Sequence, residues 1–179
     1  RAVAPRCKPQ GAVHVPRERA STLRGMEPVV RPITAAEAFD SPTFVALCDE
    51  YRDESLRNPH LRGAAPDRKT YEALIAAGLL YPLGVFVGEE LVGLCAVLVT
   101  PVPHYARRLI ASTETLFVAQ AHRASGAGLK LLRAAEQVAR AVGAAGLYVT
   151  APSGGRLERI LPHAGYTETN RVFHRELGE

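Results

Sequence analysis

The chain has 179 residues, 47% of them apolar, which suffices for one domain with a buried core. Its formal charge of +4 is concentrated in residues 1–25, where Arg1, Arg6, Lys8, Arg17, Arg19 and Arg24 face Glu18 alone; residues 26–179 carry 16 basic and 17 acidic residues, net −1, which excludes an inference of nucleic-acid binding by the body from charge. No apolar run reaches the roughly 18–20 residues of a membrane span, and Cys7, Cys48 and Cys95 form no CxxC pair, which excludes a disulfide framework or zinc site and points to reduced thiols in a cytoplasm.

Residues 1–25 have three prolines, two glycines and no apolar period, so they read as a disordered basic extension, with the native start at Met26 and one domain over 26–179. "VVRPIT" (Val29–Thr34) is a short strand, and "TAAEAFDSPTFVALCDEY" carries a helical pattern that Ser41-Pro42 interrupts, so that the helix either starts at Ser41 or is broken there. Arg52–Pro66 is polar and reads as a loop. "DRKTYEALIAAG" is a second helix, capped by Asp67 and stopped by Gly78. "LGVFVGEELVGLCAVLVT" is a β-hairpin turning at Gly88-Glu89-Glu90, Thr100–Arg108 loops out, and Leu109–Gln120 is a third long strand. Gly126–Val142 is a helix with Leu129, Leu132, Ala135, Ala139 and Val142 on its apolar face. Gly146–Pro152 reads as a buried strand, "GGRLERILPHAG" as a short helix ending at Gly165, and "YTETNRVFHREL" as one or two final strands. The predicted architecture is α/β (α+β): a mixed, mostly antiparallel central sheet of six to seven strands with helices on both faces.

"HRASGAGLKLL" (His122–Leu132) places two glycines one residue apart where the long helix begins. Glycine permits a tight turn, and it also lets a ligand approach the backbone; unpaired N–H groups at a helix start favour an anion. Two familiar phosphate loops fail here. Leu131 stands after Lys130 where a P-loop needs Ser or Thr, and the same Leu131 replaces the third glycine of the dinucleotide fingerprint. From spacing alone, a bare turn and an anion site both remain open.

The pattern that fits is R-x-x-G-x-G at Arg123, Gly126 and Gly128, after the strand "ETLFVAQ" and before "GLYVTAP" and "HAGY". With that order of elements the sequence resembles the GNAT superfamily of acetyl-CoA-dependent N-acetyltransferases from Val29 to about Leu177. The resemblance implies the acyl-CoA N-acyltransferase fold, acetyl-CoA as acetyl donor and an amine acceptor, small molecule or protein. It further implies that the main chain of Leu116, Phe117 and Val118 pairs with the pantetheine arm. The N–H groups of Arg123, Ala124, Ser125, Gly126, Ala127, Gly128 and Leu129 would hold the pyrophosphate.

Amide formation gains most from holding two reactants together, and a general base adds about 10²–10⁴-fold. Glu114 is the base candidate, on a face shared with Ser112, Leu116 and Val118, three residues before the Phe-Val pair as in relatives that use a strand glutamate. A surface carboxylate paired across the sheet is the other reading. Leu161 occupies the position where many relatives carry an acidic tyrosine, leaving Tyr148, Ser153, His163 and Tyr166 as alternatives, or protonation by solvent. His122 reads as structural or phosphate-side. Glu54, Asn58, His60, His104 and Tyr105 are candidate acceptor-pocket residues, and Asp53 with Glu54 would favour a cationic amine. A catalytically weak acyl-CoA-binding or sensing module of the same fold is the alternative function. A homodimer would cover the sheet edges, and no metal is expected.

Overall fold

The computed structural model of the protein describes residues 26–55 and 65–175. The basic segment 1–25, together with Asn58 and His60, lies outside the described residues. Five strands form one sheet in chain order: β1 (Val29–Pro32), β2 (Leu80–Val87), β3 (Glu90–Val102), β4 (Arg108–Val118) and β5 (Leu147–Tyr148). The first three pairings are antiparallel, and β4 pairs with β5 in parallel. The meander and crossover read from the sequence are therefore present.

The helices are α1 (Ala35–Phe39), α2 (Phe44–Ser55), α3 (Arg68–Ala76), α4 (Ala127–Ala141) and α5 (Arg156–Ile160). Thr34 and Glu37 form a reciprocal cap that opens α1, and the chain breaks at Ser41-Pro42 before α2 restarts at Phe44. The Asp67 side chain accepts from the Thr70 N–H to open α3, and Gly78 follows with φ of +68°.

Two apolar cores form, one on each face of the sheet. Leu131, Ala135 and Ala139 of α4 pack on Val85, Val97, Ala111 and Val118. On the opposite face, Ile33, Ala38, Phe44 and Leu47 pack on Leu91 and Phe117. The edge-on pair Phe39–Tyr71, 5.6 Å between centroids, attaches α3 to that second layer.

Several expectations are corrected. The described residues contain five strands, not six to seven: residues 166–175 pair with no strand, and Val172 and Phe173 are 86% and 90% exposed. An extended pattern becomes a strand only against a partner edge, and β5 offers just two residues. The expected strand Gly146–Pro152 shrinks to Leu147–Tyr148 because the Thr150 N–H turns to the Thr113 hydroxyl, 3.3 Å away. On α4 the buried leucines are Leu131 and Leu132; Leu129 is 41% exposed, because the helix starts at Ala127 and its core row runs 127, 131, 135, 139. The expected loop Thr100–Arg108 is shorter, since β3 continues through Pro101 to Val102. Proline is tolerated there because the β2 pairing ends at Leu98, and Pro101 faces only Leu109 of β4.

Candidate active site

The register of β3 and β4 slips between Ala96 and Val97: Ala96 pairs with Thr115 and Val97 with Thr113, so Glu114 is the extra residue of a β-bulge. The bulge shifts the alternation of β4. Before it, Leu109 and Ala111 face the α4 core; after it, Leu116 and Val118 do. Glu114 thus lies on the opposite face from Leu116 and Val118, correcting the shared face read from strict alternation. Its neighbours there are Thr115 and Phe117. The Thr115 hydroxyl donates to Glu114 Oε2 at 2.5 Å, and the Tyr71 hydroxyl donates to the same oxygen at 3.2 Å. Burial, then the Glu114 carboxylate, pushes the Tyr71 hydroxyl well above the usual phenol range. Tyr71 went unnoticed in the sequence. It sits on the face of α3 with Leu74 and Ile75, which reads there as packing.

The bulge also opens the sheet. Pairing of β4 with β5 is confined to Ala111↔Leu147 and Ser112↔Tyr148. The Ala119 N–H bonds to the Val92 carbonyl of β3 at 2.9 Å. Counting back by two, the main-chain polar groups of Phe117 face β3, whereas those of Leu116 and Val118 face the open edge. Among the three residues assigned to an added chain, Phe117 therefore contributes its ring instead, buried edge-on to Tyr51 at 5.5 Å.

At the end of this edge, a 3₁₀ turn (Gln120–Ser125) delivers the chain to α4. Ser125 Oγ donates to the His122 carbonyl at 2.6 Å and accepts from the Ala127 N–H at 3.4 Å. Gly126 has φ of +79°, a left-handed conformation that accounts for its identity. Gly128 has no such reason. Its φ is not in that region, and a Cβ there would meet only Val118 Cγ2 at 4.0 Å. Neither backbone conformation nor packing requires glycine at 128. The first N–H groups of α4, at Ala127 and Gly128, have no intrahelical acceptor, that of Ala127 meeting only Ser125 Oγ, while the Leu129 N–H is bonded to the Gly126 carbonyl at 3.1 Å.

The Arg123 side chain turns away from the helix start. Its Nε donates to the Val118 carbonyl at 2.8 Å, and its other two nitrogens hold Glu54 at 2.8 and 2.6 Å. Glu50 of the same helix accepts from the Gln120 N–H at 2.7 Å. Glu54 is thereby a brace between α2 and the turn, with its charge neutralised by a bidentate partner. Asp53 is exposed on α2. His104 and Tyr105 lie together at the β3–β4 hairpin, ring centroids 5.5 Å apart, and line a cavity of about 570 Å³ with Tyr148 and Arg108. Leu161 is buried. The Tyr166 hydroxyl donates to Glu136 of α4 at 3.0 Å, which takes it to the other face of the sheet, and Ser153 and His163 are exposed. Of the alternative acids, only Tyr148 shares the Glu114 face, as the partner of Ser112.

An open strand edge that ends at a glycine-lined helix start presents unpaired main-chain donors and acceptors side by side. The family model for the acetyltransferase (GNAT) family matches residues 44–156. The chain belongs to the GNAT family and is an acetyltransferase. No protein of curated function matches its sequence. Solved structures share its fold. A ribosomal-protein-alanine N-acetyltransferase from Brucella melitensis biovar Abortus 2308 has TM-score 0.64 at 18% identity, over 84% of this chain and 99% of that one. An aminoglycoside acetyltransferase from an uncultured soil metagenomic sample has TM-score 0.65 at 19% identity, over 86% and 99%. A glucosamine-6-phosphate N-acetyltransferase from Arabidopsis thaliana has TM-score 0.64 at 10% identity, over 84% and 99%.

Proposed function

We propose that this acetyltransferase moves the acetyl group of acetyl-CoA directly onto a primary amine, with Glu114 as general base acting through a water. Gly128 is the observation that supports the coenzyme assignment: no described residue crowds a Cβ there, and a glycine at the start of α4 lets a ligand come close to the backbone. The Ala127 and Gly128 N–H groups would hold the pyrophosphate, and the outward main chain of Leu116 together with the Val118 N–H would bond the pantetheine amides as an added strand, the Val118 carbonyl already accepting from Arg123 Nε. The thioester then lies in the gap between β4 and β5, beside the bulge.

Acetyl-CoA supplies an activated acyl carbon and a thiol whose pKa of about 8.5 makes it a tolerable leaving group. The amine nitrogen bonds to that carbon as the C–S bond breaks; the amine's proton passes through water to Glu114, and solvent returns one to the thiolate. Thr115 and Tyr71 hold the carboxylate by Oε2, so Oε1 is the oxygen that takes the proton. The relatives named above act on a ribosomal-protein alanine, an aminoglycoside and a glucosamine phosphate. These amines differ in charge, so the acceptor must be read from this chain's own residues.

The test is Glu114→Gln. With an amine that supports thiol release, kcat should fall about 10²–10⁴-fold, while calorimetric binding of CoA stays unchanged. An unaltered kcat would remove Glu114 from the mechanism; absence of CoA heat in the parent protein would remove the coenzyme site.

A further inference from the structure

Arg108, Ile110 and Ser112 alternate along β4 and share one face with Glu114. Tyr148, paired with Ser112, projects from that same face and is 50% exposed. The cavity beside the hairpin, about 570 Å³, opens on this face and has His104, Tyr105, Arg108, Ile110 and Tyr148 in its wall. Among the described residues, no acidic side chain lines it. Neither Arg108 nor the adjacent Arg107 forms an ion pair among the described residues. Ala106 and Arg107 hold φ of 53° and 61° without being glycine, so the hairpin tip keeps a specific, strained shape around the cavity. One end of the groove thus carries free guanidinium charge between aromatic walls, and the other carries the Glu114 carboxylate. Five residues of strand, Leu109 to Thr113, lie between them, about 20 Å between Cα atoms, a span that the Arg108 side chain is long enough to shorten. Of the two acids expected to attract a cation, Glu54 is held by Arg123 and Asp53 lies exposed on α2, outside the wall of this cavity.

We propose that this cavity is the acceptor site and that it selects an elongated amine bearing a carboxylate or phosphate at the end far from its amino group. The anion sits at Arg108, the connecting chain lies between Tyr105 and Tyr148, and the amine reaches the gap beside Glu114. The inference rests on the acyl-transfer reading above. Polycationic amines are disfavoured because they bring like charge to Arg107 and Arg108.

Four probes decide it: ε-aminocaproate, ω-aminohexyl phosphate, n-hexylamine and spermidine, each followed by thiol release from acetyl-CoA with the full chain. The two anion-bearing amines should have the highest kcat/KM, and comparing them separates carboxylate from phosphate. Arg108→Glu should raise their KM by roughly tenfold or more, with Arg108→Lys largely restoring it and KM for acetyl-CoA unmoved. Preference for spermidine or n-hexylamine, or an Arg108→Glu protein that treats all four as the parent does, overturns the proposal. If no probe releases thiol, saturation-transfer NMR of the same four amines decides. Binding of the anionic pair, lost in Arg108→Glu, upholds the site, and no such binding rejects it. Calorimetry with CoA reports separately on the coenzyme reading, so the two can fail independently.

Discussion

Two carboxylates, Glu114 and Glu54, differ in what they touch. Glu54 is clamped by two guanidinium nitrogens of Arg123, whereas Glu114 receives only hydroxyl donors, from Thr115 and Tyr71. A carboxylate held by neutral donors can still accept a proton; one held by a bidentate cation gives up its charge interaction to do so. Tyr71→Phe should therefore lower kcat by roughly tenfold at most, a hydrogen bond's worth of positioning, with KM for acetyl-CoA unchanged; kinetics with any turned-over amine measure this. Cys48 offers a pH-dependent check of the packing near this site. Burial, the largest cause, raises its thiol from 9.0 to about 11. The thiolate is the disfavoured form in the folded protein, so at pH 8 alkylation of Cys48 by iodoacetamide should be roughly 100-fold slower than in urea. The difference should shrink as pH rises toward 11, as peptide mass spectrometry would show.

The elements divide the work at the bulge of β4. Upstream of Glu114 the strand holds β5; downstream it leaves an edge unpaired, with the main-chain polar groups of Leu116 and Val118 turned toward it. The start of α4 then presents its N–H groups just beyond that edge. The two glycines there should part company under mutation. Gly126→Ala puts a Cβ on a left-handed residue and should destabilise the fold by about 1 kcal/mol, read from urea midpoints. Gly128→Ala should leave stability the same or raise it by up to about 1 kcal/mol, since alanine is the better helix former. It should nonetheless weaken calorimetric CoA binding, because the added methyl occupies the ligand's space. A Gly128→Ala protein that binds CoA like the parent would leave this glycine without a role.

At the level of the whole molecule, the sheet is a partition between two cores, with α4 on one side and α1, α2 and α3 on the other. Leu131 is fully buried in the first core against β-sheet valines. Leu131→Ala should cost about 2–5 kcal/mol of unfolding free energy, measured by denaturant titration, and loosen the start of α4, where we propose that the coenzyme binds. The Arg123 brace ties this side to the other by joining α2 to the turn before α4. Local signals were enough for the order of elements: the cap at Asp67, the stop at Gly78, the hairpin around Gly88 and the Arg123, Gly126, Gly128 spacing each act over a few residues, so the chain itself specifies them. The family followed from that spacing and its place between a strand and a helix. What depended on distant partners could not be read locally. The bulge that turns Glu114 to the other face is set by the register of β3, the short β5 by how far β4 can accompany it, and the joining of Glu54 to Arg123 by packing across 69 residues of chain. Periodicity describes a strand in isolation, whereas register, edges and ion pairs belong to two segments at once, and only the folded protein brings those segments together.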